Sequence, residues 1–211
     1  MTASGDAGGG PQATDELRRA GGRCFGDGDP LYAAYHDDEW GYPVVDERGL
    51  FERVSLEAFQ SGLSWLTILR KRDAFRAAFA GFEPDAVARF GPDDVERLLA
   101  DAGIVRNRAK IDATIANARA TAHLRDAGTP LEEIVWAHRP PARPAPASFA
   151  DVPAQTPEAA ALAKTLKKAG FRFVGPTTIY AGMQACGLVN DHLATCPARA
   201  HFEGLQSAVA R

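Results

Sequence analysis

"DERGLFERVSLEAFQSGLSWLTILRKRDAFRAAF" (residues 46–79) decides the fold class. Leu50, Phe51, Val54 and Ala58 recur with a helical period, so they share one stripe of a helix. Asp46 stands where an N-cap side chain accepts from first-turn amides, and a helix is expected through about Ser61. Ser64 caps a second helix in the same way and turns Trp65, Ile68, Leu69, Phe75 and Phe79 inward.

The same signals recur outward from this pair. Pro84 and Pro92 sit where a first helical turn tolerates proline. The helix from Pro92 buries Val95, Leu98 and Leu99 and stops by Gly103. Another runs from about Asn107 to Asp126, with Ile111, Ile115, Ala118 and Ala122 inward. Thr156 and Pro157 open a further helix that Gly170 ends, and a last one covers about Thr177 to Gly187. No segment carries a convincing strand alternation, so the chain is expected to be all-α. "HRPPARPAPASFADVPAQTP" (138–157) is too rich in proline for a regular element and reads as a surface connection.

The chain has 211 residues, enough for one compact helical domain, expected over 23–203. Residues 1–22 are Gly-rich without an apolar signal core and are expected to be a disordered tail, and 204–211 is expected to be a short C-terminal tail. A composition of 45% hydrophobic and 24% charged residues is that of an ordinary soluble protein. No apolar run is long enough to span a bilayer, which argues against a membrane protein. Three cysteines make no disulfide framework and suit a reducing cytoplasm. A net charge of -3 gives no global pull on nucleic acid and leaves that role to a local patch.

Three constellations carry chemistry. In "CFGDGDPLYAAYHDDEWG" (24–41), Cys24 and His36 are twelve residues apart, and in "NDHLATC" (190–196), His192 and Cys196 are four apart. If the latter pair lies on a helix, the spacing puts both side chains on one face. Two Cys and two His complete a tetrahedral set, which zinc prefers, with no position left open for catalysis. Spacing alone does not separate this from two unconnected pairs. Second, Glu57 falls on the apolar stripe of its helix, with Tyr35, Trp40 and Trp65 as nearby rings. A carboxylate there either reaches water at the helix edge or points into a pocket. Third, in "LLADAGIVRNRAKI" (98–111) a helix ends at Gly103 and the next begins among Arg106, Arg108 and Lys110. With Arg119 and Arg125, and Asp112 as the one acid, residues 104–125 carry a net +4. Such a turn either holds phosphate on its amides or is a solvated basic surface. "KTLKKAGFR" (164–172) is a second basic run with the same two readings.

Taken in order, "DPLYAAYHDDEWG", "LFERVSLEAFQSGLSWLTILRKR", "LLADAGIVRNRAKIDATIANA", "LKKAGFRFVGPTTIYAGMQACGLVNDH" and "HLATC" resemble the constitutive type I DNA-3-methyladenine glycosylases, within the helix-hairpin-helix glycosylases. The likeness runs from Cys24 to Cys196. It implies a helical bundle whose termini are tied by one structural zinc on Cys24, His36, His192 and Cys196. It implies a pocket glutamate at Glu57 with rings at Phe25, Tyr35, Trp40 and Trp65, and a hairpin around Gly103, Arg106, Arg108 and Lys110 that grips the DNA backbone. The implied activity is monofunctional hydrolysis of the N-glycosidic bond of 3-methyladenine, flipped out of alkylated double-stranded DNA. A monomer is expected. Two positions depart from the family pattern: the ring follows Cys24 directly, as Phe25, and Phe59 stands where many members carry a polar residue.

Overall fold

The computed structural model describes residues 22–209, so the expected N-terminal tail lies outside it but for Gly22. Among the described residues ten α-helices follow one another: α1 (Pro30–Asp38), α2 (Glu47–Gln60), α3 (Trp65–Ala78), α4 (Pro84–Ala88), α5 (Pro92–Ala100), α6 (Arg108–Asp126), α7 (Leu131–Ala137), α8 (Pro157–Lys168), α9 (Pro176–Ala185) and α10 (Ala198–Val209). No strand occurs among the described residues, in agreement with the helical periodicity. The caps are those expected. Asp46 accepts from Gly49 N, Ser64 from Thr67 N, and Thr156 from Ala159 N.

Helix α2 lies at the centre, against α3, α6, α7 and α9, while α8 packs on α9 and α4 on α6. It is therefore buried on more than one face: Leu50, Phe51, Val54, Leu56, Ala58 and Phe59 all join the core. Phe59 packs at a tilt against Phe75 and Phe79, with ring centroids 4.6 and 5.8 Å away. Residues two apart on a helix point about 200° apart. Phe59 thus fills the core while Glu57 faces elsewhere, and its apolar character belongs to packing.

Two expectations change at the C-terminal end. His192 and Cys196 lie on a turn-rich loop between α9 and α10, not on a helix. Asn190 Oδ1 accepts from His192 N, Ala194 N donates across to Pro146 O, and Arg199 Nη1 gathers the carbonyls of Asn190 and His192. These bonds take backbone groups that a helix would use for itself. Beyond them, α10 continues to Val209 with Phe202 and Gln206 buried, through most of the stretch expected as a tail. Gly187 lets this end approach the start. Its φ is +72°, and a Cβ there would stand 2.5 Å from Gly41 O.

Candidate functional site

Helices α1, α2, α3 and α9 enclose a cleft of about 390 Å³. Helix α1 supplies Tyr32 and Tyr35, α2 supplies Glu57 and Gln60, α3 supplies Trp65, and α9 supplies Gln184. Phe25 and Trp40 flank α1 and complete the wall. The sequence-predicted rings therefore meet around Glu57. Phe25 lies 4.8 Å from Tyr32 and 5.0 Å from Trp40 between centroids, and Tyr35 lies 5.2 Å from Trp65. Although it follows Cys24 directly, Phe25 reaches the cleft.

Glu57 is only 5% exposed, and its Oε2 has no hydrogen-bond partner. Burial pushes its carboxyl up to about 8, against the pull of the Arg53 guanidinium. That pull is blunted because Arg53 Nη2 is engaged by Glu39 Oε2 at 3.0 Å. The Trp65 indole N–H is likewise buried without a partner. Aromatic faces carry negative quadrupole charge, and a cation against them is attracted. Glu57 thus lacks a cation and a donor, which a flat cationic ligand with N–H groups would supply, while the indole N–H calls for an acceptor on the same ligand.

On the other side of α1, Cys24, His36, His192 and Cys196 converge. Their ligand atoms all lie within 4.8 Å of one another, and the set can hold a metal ion. Cys24 Sγ is 3.7 Å from His192 Nδ1, and Cys196 Sγ is 3.4 Å from His36 Nε2 and 3.5 Å from His192 Nδ1. The other ring nitrogens are held from outside, as metal-bound imidazoles usually are. His36 Nδ1 meets Asp37 Oδ1 at 2.9 Å, and His192 Nε2 meets Trp40 O at 2.9 Å. Asp37 is itself clasped by Arg23. Leu193 N donates to Cys24 Sγ, which favours a thiolate. Because Tyr35 and His36 are consecutive on α1, one short helix positions both cleft and metal cluster.

The turn between α5 and α6 joins two helices through Asp101 to Asn107. Gly103 N donates to Asp101 Oδ1 at 2.7 Å, and a Cβ on Gly103 would crowd Ala74 Cβ at 3.0 Å. Lys71 Nζ holds the carbonyls of Ala102 and Gly103. Arg106 is exposed, and Arg108 pairs with Glu96 at the surface. Lys110 differs from the expectation of a DNA contact. Its amine turns inward and donates to Phe59 O and Ser61 O, carbonyls left over where α2 ends. Arg119 caps Ala88 O and Phe90 O, and Arg125 pairs with Glu47 and Asp85. The +4 window is therefore divided between hairpin and helix packing.

Sequence reasoning missed Tyr32, Gln60, Gln184 and Phe149 in the cleft, and Asp37 behind His36. Tyr32 and Gln60 had a signal, lying three positions from Tyr35 and Glu57 on their helices. Phe149 had none. It comes from the Pro-rich connection, which folds back so that its ring lies 6.5 Å from Phe25.

The family model described as methyladenine glycosylase matches residues 25–200. The DNA-3-methyladenine glycosylase 1 of Escherichia coli (strain K12) is 50% identical over 171 residues, 80% of this chain and 91% of its own. The DNA-3-methyladenine glycosylase of Haemophilus influenzae is 41% identical over 172 residues, 80% of this chain and 92% of its own. Among solved structures, a 3-methyladenine DNA glycosylase I aligns with TM-score 0.81 at 49% identity, covering 83% of this chain and 98% of that one. The Staphylococcus aureus enzyme, solved to explain its recognition of 3-methyladenine, aligns with TM-score 0.80 at 36% identity, covering 83% and 95%. With the family model matching residues 25–200 and relatives this similar over most of their own length, the chain belongs to the methyladenine glycosylase family.

Proposed function

We propose that this protein is a base-excision glycosylase that releases 3-methyladenine from alkylated double-stranded DNA and leaves an abasic site. The observation that carries this reading is the unpartnered, buried oxygen of Glu57 within an aromatic cleft. Methylation at N3 makes the nucleotide's base cationic and weakens its bond to C1′. Extrusion from the stack delivers that base to the cleft. The rings attract the cation, worth up to about 2 kcal/mol when desolvated. Its charge also draws the Glu57 carboxyl down from about 8, so the ionised form accepts a charge-assisted hydrogen bond from the exocyclic amine. Neutral adenine leaves Glu57 protonated and gains from neither effect.

Bond cleavage sends the C1′–N9 electrons into the ring, which departs as neutral 3-methyladenine. Water supplies the hydroxyl at C1′ and loses a proton. Among the described residues no lysine lines the cleft, which fits a monofunctional enzyme without an amine nucleophile. Binding that strengthens as charge shifts from base to sugar raises the rate. The experiment is incubation with methylated duplex followed by identification of the freed base. Release of 3-methyladenine without strand scission is expected, and no free base at all would refute the reading.

The cluster at Cys24, His36, His192 and Cys196 is assigned to one structural zinc. Tetrahedral zinc with two sulfur and two nitrogen ligands has sulfur–nitrogen edges of about 3.6 Å. The sulfur–nitrogen separations of 3.4 to 3.7 Å support that choice. Four protein ligands fill the coordination sphere, so the ion would contribute to folding. Cysteine ligands suit a reducing cytoplasm. The α5–α6 hairpin is assigned to the DNA backbone, with Arg106 and Arg108 as phosphate contacts. The surface pair of Arg108 with Glu96 contributes little on its own and is readily exchanged for phosphate. A monomer suffices, because one chain carries cleft, cluster and hairpin.

A further inference from the structure

The Pro-rich connection does more than bring Phe149 to the cleft. From it, Arg143 reaches into a polar network beneath α9. Asp191 is 3% exposed and accepts from three donors: Tyr180 Oη at 2.5 Å, Arg143 Nη2 at 2.7 Å and Gln184 Nε2 at 2.8 Å. Arg143 Nη2 also donates to Tyr180 Oη at 2.6 Å, which closes the network. Gln184 is the member that lines the cleft.

A carboxylate can only accept, so Gln184 must meet Asp191 with its NH2 group. The remaining polar end of the amide is its carbonyl. We propose that Asp191, braced by Tyr180 and Arg143, fixes the Gln184 side chain so that Oε1 faces the cleft as an acceptor, and that this acceptor selects 3-methyladenine over 3-methylguanine. The two bases share a methylated, cationic ring in DNA. At position 6 adenine carries an amine, a donor, and guanine an oxygen, an acceptor; guanine also carries an amine at C2. An acceptor in the cleft bonds the first and opposes the second. A freely rotating glutamine would present its NH2 to guanine O6 and lose the distinction. Asp191 is then a positioning residue acting through Gln184, and Arg143 gives the Pro-rich segment its part in specificity. The inference rests on the proposed glycosylase activity.

The test is a duplex methylated to carry both 3-methyladenine and 3-methylguanine, with each released base quantified over time. Gln184→Leu is expected to slow 3-methyladenine release roughly 3- to 10-fold, the range of one neutral hydrogen bond, without slowing 3-methylguanine. Asp191→Asn should lower the same ratio, because an amide there lets Gln184 turn over. The double variant should be no worse than Gln184→Leu alone, since both act at one place. Asp191 adjoins His192, so metal content is measured for every variant; if Asp191→Asn loses metal or folding, Arg143→Leu replaces it at the exposed end of the network. An unchanged ratio in Gln184→Leu, or additive losses in the double variant, overturns the inference. A parent protein that releases no base overturns the proposed function itself, whereas a parent that releases 3-methyladenine beside a variant with an unmoved ratio removes only the role of Gln184.

Discussion

Replacing Glu57 by glutamine keeps the shape of the side chain and removes its charge. In the folded protein the carboxyl holds its proton up to about pH 8, whereas its ordinary value is 4.5. Between those two values the unfolded state binds fewer protons than the native state, so folding stability falls as pH rises. The stability is intact below about 4.5 and lost through about 8. Each pK unit corresponds to 1.36 kcal/mol, so the full loss is about 5 kcal/mol. Glu57→Gln has no such proton. The difference in unfolding free energy, variant minus parent, should therefore climb by several kcal/mol between pH 5 and pH 8.5 and then level off. Urea titrations at fixed metal concentration across that range measure it, and titration of groups common to both proteins cancels. The same variant loses the ionised acceptor that the cationic base calls up. Removing a charge-assisted hydrogen bond costs about 1.5–3 kcal/mol, or roughly 10- to 150-fold in 3-methyladenine release. A stability difference that stays flat with pH would show that Glu57 reaches water. Unchanged base release would show that its carboxylate does not meet the base.

The other expectations concern the cluster and the hairpin. Cys196→Ser should lower metal content and thermal stability together, read by metal analysis and calorimetry on the same preparation, because a structural metal's binding energy is folding energy. Asp37→Asn should weaken metal affinity about 10- to 100-fold while leaving all four ligands in place, since Asp37 holds the outer nitrogen of His36; a chelator competition that finds parent-like affinity removes that role. Arg106→Gln should weaken duplex binding equally for all sequences and reduce its salt slope by about one. Lys110→Met should leave that slope alone and destabilise the fold by about 1–3 kcal/mol, because two carbonyls near the end of α2 lose their donor. A Lys110→Met protein of parental stability with a flattened salt slope would reverse this division of labour.

Seven of the ten described helices were legible in the sequence, because period and caps are local, whereas α1, α7 and α10 carried no signal that was read. Asp46, Ser64, Thr156 and the prolines at first turns start helices through bonds to amides a few residues away, and those bonds form wherever the segment lies. Residue types also announced the chemistry. Two Cys and two His are the residue types of a zinc ligand set, and a glutamate on an apolar stripe asks for a partner. What these features face depends on contacts between distant segments. The cluster exists because residues 168 apart, Cys24 and His192, are brought together, and the loop at 190–196 is held by carbonyls and side chains outside it rather than by its own helical bonds. Lys110 and Arg106 look alike in sequence as basic residues beside a glycine turn, yet the end of α2 lies within reach of one amine and turns it into a structural tie. The same holds for Arg143 and Phe149, which sit in a proline-rich stretch with no periodicity to read. Their roles follow from where that stretch is laid across the bundle, and only tertiary packing decides that.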